Sequence, residues 1–313
     1  MKALAALAIA LAPALAAAQP APPARSGEAI EHSNVDVAPA GHAFKQLSID
    51  NPLGDVQILG YDGTAIKIET IKHAPDEITL DRLHVSLVPD PDGTVRLQTS
   101  AARSIDGRVV PRSAMRVDVI VHAPHDLRVD AAVVAGKLHI ENMDAGGELD
   151  AASGPITVKN VAGELWTHTV TGRTTLSEVF GSVDAATIEA DLDLDSINGD
   201  RLIASVNRGD IAGRRVRSRD VELTTTHGTI WLDAEASLRG RLVVSSMYGN
   251  IDVRLRHHGG VIARARGTKV DLGMAGQPRP DGWFQSSFGK ISDTAAMVEL
   301  RSSFGSVRFA IIE

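Results

Sequence analysis

GKLHIENMDAGGELDAAS (136–153), GPITVKNVAGELWTHTVT (154–171) and GRTTLSEVFGSVDAATIE (172–189) are three versions of one unit. ADLDLDSINGDRLIASVNR (190–208), GDIAGRRVRSRDVELTTTH (209–227) and GTIWLDAEASLRGRLVVSSMY (228–248) continue it with slightly longer periods. A short fixed period marks a solenoid, because one unit cannot bury its apolar face alone and must stack on its neighbours. Each unit opens on glycine, or on Ala190 in one case. Apolar or small residues then alternate with polar ones: Leu138 and Ile140, Ile156 and Val158, Thr174 and Leu176, Leu192 and Leu194. Period-two alternation turns these side chains to one face of a strand. A second apolar column at Met143, Val161, Val179 and Ile197 is followed by a second glycine column at Gly163, Gly181 and Gly199. Each rung therefore carries two strands and two sharp corners. The expectation is an all-β chain forming a parallel β-solenoid, or β-helix, with rungs of about 18–21 residues. Equivalent strands should pair about 4.8 Å apart.

Working outward, Gly136, Gly154, Gly172, Gly209, Gly228, Gly249, Gly289 and Gly305 are expected as structural corner glycines, supplying backbone geometry that other residues resist. The period lapses through an irregular insertion at 259–284, which contains Pro278 and Pro280 and offers a place for a binding surface. SSFGKI (286–291) and SSFGSV (302–307) restore it, so residues 285–313 are expected as terminal rungs after the regular rungs of 136–258. Upstream, residues 44–135 read as less regular β-rungs. In them LSIDNPLGDVQILGYDGTAIKIETI (47–71) gives three strands, and RLHVSLVPDPDGTVRLQTS (82–100) a hairpin about Asp92-Gly93. Residues 44–313 would form one solenoid domain.

Two segments precede it. Residues 1–18 read as a signal peptide, with Lys2, the apolar stretch Leu4 to Leu15, and Ala16-Ala17-Ala18 before Gln19. Residues 19–43, opening QPAPPARSG, read as a Pro/Ala-rich linker and irregular lead-in with no packing role. The expected product is exported, to the periplasm or beyond the cell, with no integral membrane segment after signal cleavage. The sequence contains no cysteine, so disulfides, thiolate metal sites and the acyl anchor of a lipoprotein are excluded.

The phrases TTTHGTI (224–230), SSMYGNI (245–251), SSFGKI and SSFGSV share one form: small polar residues, a variable residue, then Gly-x-Ile/Val. With VHAPHDLRVDAAVVAGKLHI (121–140) entering the first full rung, they resemble the bacterial putative-adhesin family of exported β-solenoid domains. The likeness runs over most of residues 44–313. It implies a solenoid outside the cytoplasm and an adhesive role, and it brings no catalytic residues.

The chemistry-bearing residues point away from catalysis. With 32 Lys and Arg against 39 Asp and Glu, the net charge of −7 opposes nucleic-acid binding. Arg214, Arg215, Arg217 and Arg219 form one basic cluster, expected as a solvated loop or turn between strands. Asp191, Asp193 and Asp195 on one strand face are weak calcium candidates, because alternate residues lie nearly 7 Å apart and the calcium-loop pattern is missing. An acidic solvated face is the simpler expectation. Arg208-Gly209-Asp210 spells the integrin tripeptide, but Gly209 is a corner position and the repeat itself generates the triplet. No HExxH or G-x-S-x-G is present, and no cofactor is expected.

Trp166 and Trp231 fall at outward positions and are the ligand-binding candidates, each able to stack on a sugar or to be covered by another segment. Phe180, Tyr248, Phe288 and Phe304 each precede a glycine and are expected to stack at corners. The chain thus reads as a non-catalytic, adhesin-like binding or structural module of the bacterial cell envelope. Its partner is unassigned, with a polysaccharide or an envelope protein suspected. The competing readings are a polysaccharide lyase or hydrolase and a self-associating structural protein, the latter kept open by the apolar terminal strand SVRFAII (306–312).

Overall fold

At the corners of this chain backbone approaches backbone. In the computed structural model a Cβ added to Gly154 would lie 1.9 Å from the Gly136 carbonyl oxygen, and one on Gly172 would lie 2.1 Å from that of Gly154. Gly209 and Gly228 are as close to the corner residues of the rungs before them. Gly136, Gly154, Gly172, Gly209 and Gly228 all have φ between +130° and +159°, where L side chains are strained. Because the corner peptides stack, rung-to-rung hydrogen bonding passes through the turns: Gly154 N donates to Thr171 O at 2.9 Å and Leu138 N to Pro155 O at 3.0 Å.

The structure describes residues 28–39, 43–101, 104–105, 108–109, 114–273 and 276–312. The signal-peptide reading of residues 1–18 therefore lies outside the described residues. Two long sheets face each other, sheet A with 13 strands and sheet B with 14. The regular rungs alternate between them. Leu138–Met143, Ile156–Ala162, Thr174–Phe180, Leu192–Asn198, Ile211–Val216 and Ile230–Ala236 stack in parallel in sheet A. Gly147–Ser153, Leu165–Thr171, Val183–Glu189, Arg201–Arg208, Asp220–His227 and Arg241–Tyr248 do so in sheet B. The fold is the expected parallel β-solenoid. Leu138, Ile156, Leu176, Leu192, Ile230 and Leu232 are fully buried between the sheets.

The second apolar column follows from a feature that alternation alone does not contain. Asn142, Asn160, Glu178, Ser196 and Arg215 adopt φ of +50° to +61° at equivalent places in five successive rungs. Each puts two outward residues in a row, which returns Met143, Val161, Val179, Ile197 and Val216 to the interior. Asparagine tolerates this conformation well; glutamate and arginine do so at some cost.

Both ends depart from simple winding. Towards the C-terminus the chain passes from Ile251–His257 to Val261–Arg266 and Lys269–Asp271, skipping one rung's width. It later returns, and Ala296–Ser302 fills the gap in sheet B while Ser306–Ile311 fills it in sheet A. The SVRFAII strand is thus inside the stack rather than at its end, which corrects its reading as a free terminal strand. SSFGKI does not restore the solenoid either. Phe284–Phe288 runs antiparallel to Val261–Arg266, because the turn at Arg279–Trp283 reverses the chain. Gly289 accordingly lies outside the corner column, unlike Gly249 and Gly305, which stack on Gly228 and Gly249. The described residues of 259–284 form an end cap, not a loose insertion.

The N-terminal end is wedged in the same way. Arg128–Ala135 lies between Gln46–Leu53 and Gly147–Ser153, and Val56–Tyr61 lies between Arg116–Pro124 and Leu138–Met143. Asn51, fully buried, serves this junction by donating to Val117 O at 2.9 Å and Gly54 O at 3.2 Å. The segment read as linker, 19–43, includes a strand: Ala29–Val37 pairs antiparallel with Ile66–Ala74 and is held by Glu31 to Lys72 at 2.9 Å. Its alternation was masked because both of its faces are largely exposed.

Gly172→Ala is expected to cost about 2–4 kcal/mol, since a Cβ must displace a backbone carbonyl at an unfavourable φ. Gly282→Ala, at φ +80° with no neighbour within 4 Å, should cost only about 1–2 kcal/mol of backbone strain. Equal losses in thermal unfolding would remove the corner contact from the account.

Candidate binding surfaces

The two candidate tryptophans do not meet. Trp166 lies on the outer face of sheet B, in register between Glu148 and Asp184, and is 38% exposed. Trp231 lies on the outer face of sheet A, between Ala212 and Asp252. The sheets face each other inward, so these outer faces point to opposite sides of the protein. Each ring also carries an arginine: Arg128 sits 5.2 Å from the Trp166 centroid and Arg214 5.9 Å from that of Trp231. Trp283, which the sequence left unassigned, has Arg264 at 4.9 Å. Cation–π contact is a structural use of these rings.

Asp191, Asp193 and Asp195 are ordered by arginines. Arg173 reaches Asp191 at 2.6 Å and Asp193 at 2.5 Å, and Arg215 pairs with Asp195. Among the described residues no group of three or more His, Cys, Asp or Glu side chains is placed to hold a metal ion. The wider pattern is an ion-pair ladder at about one rung's period, including Lys159 to Glu141 at 3.0 Å and Arg217 to Glu235 at 2.9 Å. The Lys159 hydrogen bond holds the Glu141 carboxyl below the ordinary carboxylate range. His258, with Arg217, does the same to Glu235. Depressed carboxylates favour the fold above their unfolded pKa, and the gain disappears as pH falls through the lowered value. Of the exposed arginine cluster, Arg217 and Arg219 lie in the connection between strands, as expected, while Arg214 and Arg215 close a strand, and all four have partners.

The integrin-like triplet is also absorbed by the fold. Arg208 pairs with Glu189, and Asp210 Oδ1 accepts the Thr229 backbone N–H at 2.7 Å. Asp191 accepts from Asp210 N at 3.0 Å, and Asn250 from Ser306 N at 2.9 Å. The Asp or Asn after a corner residue is therefore a cap for the next rung.

Exposed apolar side chains concentrate at one corner, where sheet B strands end. Val134, Val170 and Ile188 line successive rungs there, with Ala152 between the first two. Further along the same corner are Met247, Tyr248 and Phe304. His227, Tyr248 and Phe304 form a face-to-face stack with centroids 4.7 and 4.8 Å apart. Stacking was expected of Tyr248 and Phe304. Phe288 packs instead on Phe309 at 5.5 Å, and Phe180 stands half exposed at the other corner. A hollow of about 350 Å³ opens between the sheets at the N-terminal end, lined by Val35, Ile68, Leu83 and Val85.

No family model and no curated protein matches this chain. Solved structures do resemble it. A putative adhesin from Bacteroides fragilis is 13% identical, the likeness covering 90% of this chain and 97% of that one, with a TM-score of 0.41. A putative lipid binding protein from Parabacteroides distasonis is 11% identical, covering 91% and 97%, with a TM-score of 0.40. A putative cell adhesion protein from Clostridium sporogenes is 12% identical, covering 91% and 100%, with a TM-score of 0.29. The adhesin name is the one that the sequence resemblance carries.

If Asp210 is a rung cap, Asp210→Ala should lower stability by about 1 kcal/mol by leaving a backbone donor without its acceptor. Asp210→Asn should restore most of that loss, and integrin-dependent cell attachment should be absent from all three proteins. Attachment abolished by the alanine variant would instead make the triplet a recognition site.

Proposed function

We propose that this protein is an exported, non-catalytic module of the bacterial cell envelope that binds a polysaccharide or an envelope protein on its outer surface. The observation that carries the reading is the sheet B corner, which carries two groups of exposed apolar side chains, Val134, Val170 and Ile188 and, beyond the rungs of Asn207 and Thr226, Met247, Tyr248 and Phe304. Exposed apolar side chains gathered in patches mark interaction sites. A stack of this kind offers a long, rigid contact line suited to a repetitive partner. The signal-like residues 1–18 support export.

The two competing readings have less support. A lyase or hydrolase needs free, convergent acid and base groups in a cleft. Asp191 and Asp193 are instead held by Arg173 on an open sheet face, and Lys72 in the N-terminal hollow is tied to Glu31. End-to-end assembly needs a long apolar edge. Head-to-tail stacking needs such an edge at both ends, and although Ala29–Val37 at the N-terminal end has nine residues, the outermost C-terminal strands, Lys269–Asp271 and Gln277–Pro278, have three and two.

The test is a screen of the mature protein (from Gln19) on bacterial and host glycans, with and without calcium. Saturable, calcium-independent binding that Val170→Asp or Phe304→Ala weakens is expected, with Trp166→Ala and Trp231→Ala binding normally. Loss on either tryptophan variant would move the site to that face, and release of sugar fragments would replace the binding role with an enzymatic one.

A further inference from the structure

The ion-pair ladder has a conspicuous gap. Arg266 and Arg301 stand directly opposite each other on the neighbouring parallel strands Val261–Arg266 and Ala296–Ser302 of sheet B. Both are exposed, and both point outward, since Ala265, Leu300 and Ser302 beside them are buried. Like charges directly opposite on adjacent strands destabilise a sheet. Many other outward arginines are ion-paired, as at Arg173, Arg208, Arg215, Arg217 and Arg256. Arg201, Arg241 and Arg254, without an ion pair among the described residues, each face a carboxylate in register, Asp220 or Asp233. Here neither arginine has an ion-pair partner among the described residues, in a chain whose acidic residues are in excess, 39 against 32. On the other side of Arg301 the register partner is Ser245. The nearest outward carboxylate in the pattern is Glu299, set opposite Arg264, which itself pairs with Asp281 at 3.6 Å.

Three residues beyond Arg301, Phe304 ends the aromatic stack and is 63% exposed. The next rung does not cover it. Arg266 is in register with Arg301, whereas Thr268 N already bonds Gly305 O at 3.0 Å. The chain therefore crosses this corner with no residues to match Ser303 and Phe304. One face of Phe304 is left without a rung-mate, while the faces of Tyr248 are taken by His227 and Phe304.

We propose that Arg266, Arg301 and Phe304 together form a binding site for an acidic polysaccharide built from uronic acid units. Guanidinium groups engage a carboxylate bidentately, and they are the side chains of choice for it. The C–H face of a pyranose ring packs on the open aromatic ring, as apolar surface does on any such ring. The site deepens the envelope-polysaccharide reading and rests on it.

The experiment titrates the mature protein with an oligogalacturonate and, in parallel, with a neutral galactan oligomer of equal length, followed by calorimetry. The acidic oligomer should bind saturably, at least about tenfold more tightly than the neutral one, and more weakly as salt is raised. Arg266→Gln/Arg301→Gln should reduce that affinity at least about tenfold without lowering the melting temperature, because a like-charge contact is relieved. Phe304→Ala should reduce it several-fold, and Trp166→Ala should leave it unchanged. Equal binding of the two oligomers, or acidic binding that the arginine variant retains, would overturn this site while leaving the polysaccharide reading standing. Absence of binding to both oligomers overturns this site, and only a glycan screen without any hit removes the broader reading as well.

Discussion

Every rung of this molecule is set by the approach of one corner peptide to the next. A glycine hydrogen occupies the space where a Cβ would strike the carbonyl of the preceding corner, so the two backbones can stack at strand spacing. Strand pairing alone would allow the sheets to stay in register while the turns bulged outward. Corner stacking removes that freedom, because the same hydrogen-bond ladder runs from sheet B through Gly154 and Gly209 into sheet A. Ala190 is the one regular-rung corner without glycine. It is not among the positive-φ residues, and its rung is the first to run to 19 residues instead of 18. The surface then inherits the periodicity: whatever faces outward at one rung lies beside its counterpart on the next.

That inheritance creates an electrostatic problem. A charge repeated at strand spacing meets itself, so a stable stack alternates sign or supplies hydrogen bonds. Arg173 with Asp191, Lys159 with Glu141 and Arg208 with Glu189 are solutions at a separation of 18 or 19 residues. Asn160 donating to Asn142 at 2.8 Å is the uncharged version. Against this rule, places where the outer surface keeps unmatched groups stand out. They are the apolar patches at the sheet B corner and the opposed Arg266 and Arg301 near its C-terminal end.

What could be read from the sequence was what depends on local spacing. Leu138 and Ile140 alternate, the glycines recur, and the two sheets follow. The left-handed column was partly legible, since the step from Ile140 to Met143 is three residues and Asn142 and Asn160 favour such a conformation. Glu178 and Arg215 carry no such signal. The wedged ends were not legible, because SSFGKI and SSFGSV are nearly the same locally. One enters an antiparallel hairpin and the other a rung corner, according to strands far away in sequence. For the candidate site, the outward setting of Trp166 and Trp231 was correct. Their placement on opposite faces, and the arginines over them, depend on rung pairing. The 18-residue offset between Arg173 and Asp191 could have revealed the ion-pair ladder. The juxtaposition of Arg266 with Arg301 could not, since it arises only from the returning strand.

The interior is a closed, uniform stack, and the proposed recognition surface lies on the outside of sheet B at its C-terminal end. Hydrogen exchange of the mature protein, with and without saturating oligogalacturonate, addresses both statements at once. The expected result is slow exchange across residues 138–257 in either state, with added protection confined to about 262–268 and 297–306. Protection appearing around Trp166 or Trp231 instead, or fast exchange within the regular rungs of the free protein, would contradict it.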